Sequence, residues 1–154
     1  MAEPAPRRLA PGSYGYDDLR IGDRIDTAQL IVTAAQIDRF ADLTGDRFDI
    51  HMTDAGAARH GFGGRVAHGL LVLLLIDGLK NQAPAQFRAV ASLNWDWAFR
   101  SPVLAGDSIG ASLTVMEKRE TKRAERGILR LEVVVVNPQG TLLQRGTNLL
   151  MVMR

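Results

Sequence analysis

The chain has 154 residues, 46% of them apolar and 23% charged, with a formal net charge of +2. That is the length and balance of one globular domain with a buried core, not of a disordered chain. So small a charge excess, with no interleaving of basic and aromatic residues, gives no ground for nucleic-acid binding; the lack of cysteine excludes a disulfide framework, a thiolate nucleophile and a Cys-built zinc site.

The N-terminal MAEPAPRRLAPG lacks the apolar core of a secretory signal. The longest apolar run, Leu70 to Ile76, falls far short of the roughly 20 residues that cross a bilayer. The expectation is a soluble cytoplasmic protein with no membrane span.

Residues 1–18, rich in Pro, Ala, Gly and Arg, read as an N-terminal arm, with Tyr14 and Tyr16 available to pack on the body. Residues 19–154 read as a single domain. Gly22 to Ile31 is a turn into a strand. Thr33 then looks like the N-cap of a helix from Ala34 to Leu43, whose Ile37, Phe40, Ala41 and Leu43 share one side. Thr44-Gly45 ends it. Asp54 to His60 forms a short helix, and the glycines of GFGG predict a sharp turn or a close backbone approach. Val66 to Asn81 is the second long helix, apolar on nearly every side and so expected to be buried all round. After Pro84 the pattern alternates, with strands over Phe87–Trp97, Ser108–Lys118, Gly127–Asn137 and Thr141–Arg154. Asn137-Pro138-Gln139-Gly140 is a hairpin turn, and ETKRAERG a second. The fold class is α+β, an antiparallel sheet wrapped around one long helix. An open sheet leaves an uncovered edge, for which dimerisation is a natural answer.

The chemistry concentrates between Asp46 and Gly69. Asp46 and His51 lie five residues apart, just past a helix end, so both side chains can turn into one space. A carboxylate and an imidazole sharing a water form a proton-transfer pair. A plainer account has Asp46 capping the turn and His51 as a satisfied interior histidine. Gly69 opens the long helix, where free N–H groups and the helix dipole can hold a developing oxyanion. The alternative is close packing of the glycine-rich segment. His68 is open to a structural hydrogen bond beside that turn, and His60 is expected on the surface. Trp95 and Trp97 read as packing and interface residues. The basic turn from Lys118 to Arg126 reads as a solvated hairpin end, or else as a dock for coenzyme A phosphates or an acidic carrier protein.

Three segments carry a family resemblance. Phe40-Ala41-Asp42-Leu43-Thr44-Gly45-Asp46-Arg47-Phe48-Asp49-Ile50-His51, followed five residues later by Ala57, resembles the hydratase-2 motif of the MaoC-like, (R)-specific enoyl-CoA hydratases. Phe62-Gly63-Gly64-Arg65-Val66-Ala67-His68-Gly69-Leu70 resembles that family's FGG-x-I-A-H-G segment, and Phe99-Arg100-Ser101-Pro102-Val103-Leu104-Ala105-Gly106-Asp107-Ser108 its later F-x-x-P-V-x-x-G-D-T turn.

The resemblance implies a hot-dog fold and a homodimer or higher assembly with a channel for an acyl-pantetheine chain. It implies an acyl-CoA or acyl-carrier-protein thioester as substrate, with no metal and no redox cofactor. Asp46 and His51 would be catalytic, activating a water that adds to C3 of a trans-2-enoyl thioester. The Gly69 N–H would be the oxyanion hole. Phe62, Gly63, Gly64 and His68 would contact substrate, and Phe48 and Asp77 are further candidate substrate contacts at positions where the chain departs from the family. Two departures stand out. Phe48-Asp49 replaces the family's Asn-Pro, and Asp77 sits within an apolar helix where related enzymes carry a small or hydroxyl residue. An acid there needs a partner or a raised pKa. It faces the helix's polar edge, or it lines the pocket; in the second case Asp77 could be the base of an acyl-CoA thioesterase. A non-catalytic acyl-CoA-binding module is the third reading.

Overall fold

The computed structural model describes residues 5–154. Short strands β1 (Arg7–Arg8), β2 (Gly12–Tyr14), β3 (Asp23–Asp26) and β4 (Leu30–Ile31) come first. Helix α1 (Ala34–Thr44), the one-turn α2 (Asp49–Met52), α3 (Asp54–Arg59) and the central α4 (Gly69–Lys80) follow. The rest is β5 (Ala85–Phe87), β6 (Ala89–Phe99), β7 (Ser108–Glu120), β8 (Arg126–Val136) and β9 (Leu142–Met153).

The main sheet runs in the order β1-β3-β7-β8-β9-β6, with β4 also on β7, and β2 pairs separately with β5. The long neighbours are all antiparallel. Alternation puts Leu113, Val115, Leu129, Leu131, Val133, Val135, Leu150 and Val152 on the inner face, all buried. That face meets Leu71, Val72, Ile76 and Leu79 of α4 in one core. Burying apolar side chains of this size stabilises by about 1.5–3 kcal/mol each, before entropy is counted. The core therefore holds α4 rigidly, and with it whatever stands at its N-terminus.

Residues 5–18 lie along the sheet. Arg7 and Arg8 pair in parallel with Asp23 and Arg24, and Gly12–Tyr14 pair with Ala85–Phe87. Tyr16 is buried, its ring flanked by the Lys118 ammonium at 4.3 Å and the Arg154 guanidinium at 4.9 Å. The first four residues of the expected arm lie outside the described residues.

Two expectations about α4 change. It starts at Gly69, not Val66, because Val66 bridges Leu104 and the Ala67 N–H donates to the Val103 carbonyl at 2.7 Å. Nor is it buried all round: Leu70 and Leu74 are 58% and 57% exposed. The sheet covers one side of the helix only. The edge strand β6 runs past the helix, with Phe99 against Gly69 and the Trp95 ring 5.7 Å from the Lys80 ammonium; among the described residues it pairs with β9 alone, and it exposes Val90, Leu93 and Phe99.

Candidate active site

Helix α1 sets the first catalytic candidate. The Thr33 hydroxyl accepts from the Gln36 N–H, and Gln36 answers by accepting from the Thr33 N–H, a closed capping box. Gly45 ends the helix in the left-handed region at φ 77°. The chain thus leaves sharply, and Asp46 stands over the start of α4 rather than along α1. Its carboxylate accepts from the Phe48 N–H at 3.3 Å, so it does cap the turn as well.

His51 stands on α2. Its Nδ1 lies 2.6 Å from the Val66 carbonyl. A carbonyl only accepts, so Nδ1 carries the proton and Nε2 keeps its lone pair. Arg65 fixes the surroundings, donating from Nε to the His51 carbonyl at 2.8 Å and pairing with Asp38 of α1 at 2.5 Å. Arg65, overlooked in the sequence, ties α1 to α2. It sits between Gly64 and Val66, where the family segment leaves the residue open.

His68 is buried, and its Nε2 lies 2.8 Å from the Asp46 carbonyl. By the same reasoning its Nδ1 is the unprotonated nitrogen, and it has no partner. The His51 and His68 rings stack at 3.8 Å between centroids, 23° from parallel. The Phe40 ring also lies against His68, tilted, at 4.7 Å between centroids. Burial pushes the His51 imidazole below its ordinary range. His68 works in the same direction, while the Val66 carbonyl and Asp46 oppose it. The net effect keeps His51 neutral, the form a general base needs.

One ligand atom from each of Asp46, His51 and His68 lies within 4.8 Å of the others. Tetrahedral zinc would need them about 3.3 Å apart, each with its lone pair aimed at the ion. Two nearly parallel rings share no nearby point in both planes, so the group suits a shared water better than a metal.

These residues line a cavity of about 390 Å³. Phe40, Ile50, Phe62, Val66, Val72, Phe99 and Val103 supply apolar wall, and Gly69 lies at one side. No carbonyl or side chain among the described residues accepts from the Gly69 N–H. A Cβ at Gly69 would lie 2.5 Å from the Phe99 ring, so only glycine fits.

The structure thus brings Asp46, His51, Phe62, His68 and Gly69 together and leaves four expected contacts outside the lining. Phe48 is 54% exposed, its ring 5.4 Å from that of His60. Gly63 and Gly64 lie toward Leu104, and it is Gly61, at φ 84°, that makes the left-handed turn of GFGG. Asp77 pairs with Lys80 at 2.6 Å. Eight residues of helix rise separate it from Gly69, about 12 Å, which is why it is absent from this cavity and leaves a thioesterase built on it without a base there. Gln144 of β9 is a lining residue that sequence reasoning missed. A glutamine inside an alternating strand carries no local signal of its partner across the fold. The basic turn does not line the cavity either; Lys118 donates to the Leu19 carbonyl.

The family model described as MaoC like domain matches residues 18–137, so the chain belongs to the MaoC-like dehydratase family. A 3-hydroxybutyryl-CoA dehydratase of Methylorubrum extorquens is 32% identical over 114 residues, covering 72% of this chain and 69% of that protein. The unliganded R-hydratase PhaJ1 of Pseudomonas aeruginosa aligns with a TM-score of 0.75 at 27% identity, over 90% of this chain and 84% of that one. A Mycobacterium tuberculosis protein described as a double hotdog fold aligns with a TM-score of 0.79 at 22% identity, over 94% of this chain and 46% of that one. The fold is the hot-dog expected. No helix among the described residues is long and apolar enough to cross a membrane.

Proposed function

We propose that the protein is a hydro-lyase that adds water to a trans-2-enoyl thioester, or dehydrates the (R)-3-hydroxyacyl thioester. The observation that carries this reading is a His51 whose Nδ1 is held by the Val66 carbonyl, grouped within 4.8 Å with Asp46, beside a Gly69 N–H that has no acceptor among the described residues. Asp46 and His51 hold one water between them. The water oxygen bonds to C3 as the pair takes up its proton, and the same proton passes to C2 when the enolate collapses. Charge gathers on the thioester oxygen in between, where the Gly69 N–H and the α4 dipole stabilise it. The names of the relatives support the reading, one a dehydratase of a short acyl-CoA and the other an R-hydratase. The substrate class is an acyl-CoA or acyl-carrier-protein thioester. The working unit is a homodimer closed over β6 and the open side of α4.

Purified protein mixed with crotonyl-CoA tests this, with the conjugated enoyl absorbance and free thiol followed together. Loss of absorbance without thiol, giving the (R)-3-hydroxy product, is the expected result. Thiol release would replace the hydro-lyase with a thioesterase.

A further inference from the structure

Gln144 is 2% exposed, yet it forms part of the cavity wall. A buried amide needs partners at both ends. Its Oε1 accepts from the Trp97 indole N–H at 2.8 Å, and its Nε2 donates to the Gly69 carbonyl at 3.1 Å. The strand register shows how the chain of contacts is built. Trp97 of β6 stands opposite Gly146 of β9, and Gln144 lies two residues along on the same face. A Cβ at Gly146 would come 2.5 Å from the Trp97 ring, so the missing side chain lets the indole lie across β9 and reach Gln144. On the opposite flank, the Phe99 ring closes against the Gly69 Cα.

Gly69 needs such support. Glycine is the least restrained residue of a backbone, and the first residue of a helix has no intrahelical partner for its N–H. The Phe99 ring and the Gln144 amide restrain it from two sides. We propose that Gln144, seated by Trp97, is a positioning residue that holds the Gly69 carbonyl and so, through the φ and ψ of Gly69, sets the direction of the N–H that polarises the thioester carbonyl. This rests on the oxyanion role given to Gly69 above.

Gln144→Glu separates the two contacts, because its carboxylate still accepts from Trp97 and no longer donates to Gly69. In crotonyl-CoA hydration near neutral pH, kcat should fall on the order of tenfold with KM nearly unchanged, since a misaimed donor is felt most in the transition state. The ratio of variant to wild-type kcat should then climb as pH falls, because a buried carboxyl has a raised pKa and regains an O–H donor when protonated. Trp97→Phe should shift kcat the same way by less. Unchanged kinetics, or a kcat deficit equal at every pH, would overturn the proposal. The Gly69 amide signal and its hydrogen exchange by NMR read the proposed effect on the N–H without turnover. A shifted signal and faster exchange in Gln144→Leu are expected, and an unaltered Gly69 amide overturns the proposal whatever the activity. A perturbed Gly69 amide in a protein whose wild type turns over no enoyl thioester would keep the contact and overturn the hydro-lyase reading instead.

Discussion

His51 can act as a base only while Nε2 is unprotonated, and three neighbours bear on that. The Val66 carbonyl pins the proton to Nδ1, the stacked His68 ring disfavours a positive charge on His51, and the Asp46 carboxylate favours it. Burial is the largest influence and lowers the pKa below the ordinary 6.5. The acid limb of kcat/KM for hydration is therefore predicted to fall below pH 6.5, and His51 leaves a matching mark on stability. Its folded-state pKa is depressed, so the unfolded chain binds more protons in that window. Stability drops as pH falls through the unfolded value and levels off below the folded one. A pH–rate profile measured beside chemical denaturation at several pH values checks both; an acid limb above the free-imidazole value would contradict the assignment. Other residues were harder to anticipate. The Asp46–His51 spacing was visible in the chain. The His51–His68 stack was not, because it joins α2 to the residue before α4 through the folded path of Arg65–Ala67. The same holds for Gln144, whose partners Trp97 and Gly69 lie 47 and 75 residues away.

At the scale of elements, α4 divides its surface between two tasks. Leu71, Val72, Ile76 and Leu79 serve the core, while Leu70 and Leu74 stand open beside an edge strand with exposed Val90, Leu93 and Phe99. Apolar side chains grouped next to free backbone donors and acceptors favour association with another such edge. The prediction is therefore a second copy, with β6 pairing against β6. Light scattering on the purified protein should give twice the chain mass, and Leu93→Lys should shift it toward the monomer. A monomer in the unaltered protein at micromolar concentration would contradict this account of the open face. Periodicity exposed both helices and the four long strands, because each carries its own apolar pattern. It failed at the start of α4, where Val66–His68 read as helix and are held extended by Leu104 and Val103. It also overstated the burial of α4, since an all-round apolar helix reads the same whether sheet or partner covers it. The turn of α2 was missed because four residues are too few to show a period.

For the whole molecule, a rigid sheet-and-helix core presents one helix N-terminus, and the loop after α1, the one-turn α2 and the residue before α4 bring an acid and two histidines over it. The three resemblance segments each contribute to that end of the molecule. The first supplies Asp46 and His51; the second, His68 and Gly69; the third, the Phe99–Val103 wall against which Gly69 and Ala67 pack. At Phe48-Asp49, where the resembled motif carries Asn-Pro, Asp49 pairs with Arg59 at 3.1 Å and the Phe48 ring stands edge-on to His51 at 6.3 Å, while His51 keeps its contact with Val66. The central claim is that chemistry runs through His51 at this place. The most direct test compares kcat/KM for crotonyl-CoA hydration in wild type and His51→Ala, with circular dichroism and thermal melting on both. The account predicts a loss on the order of 100-fold or more with the fold retained. A folded His51→Ala with near wild-type turnover would contradict it.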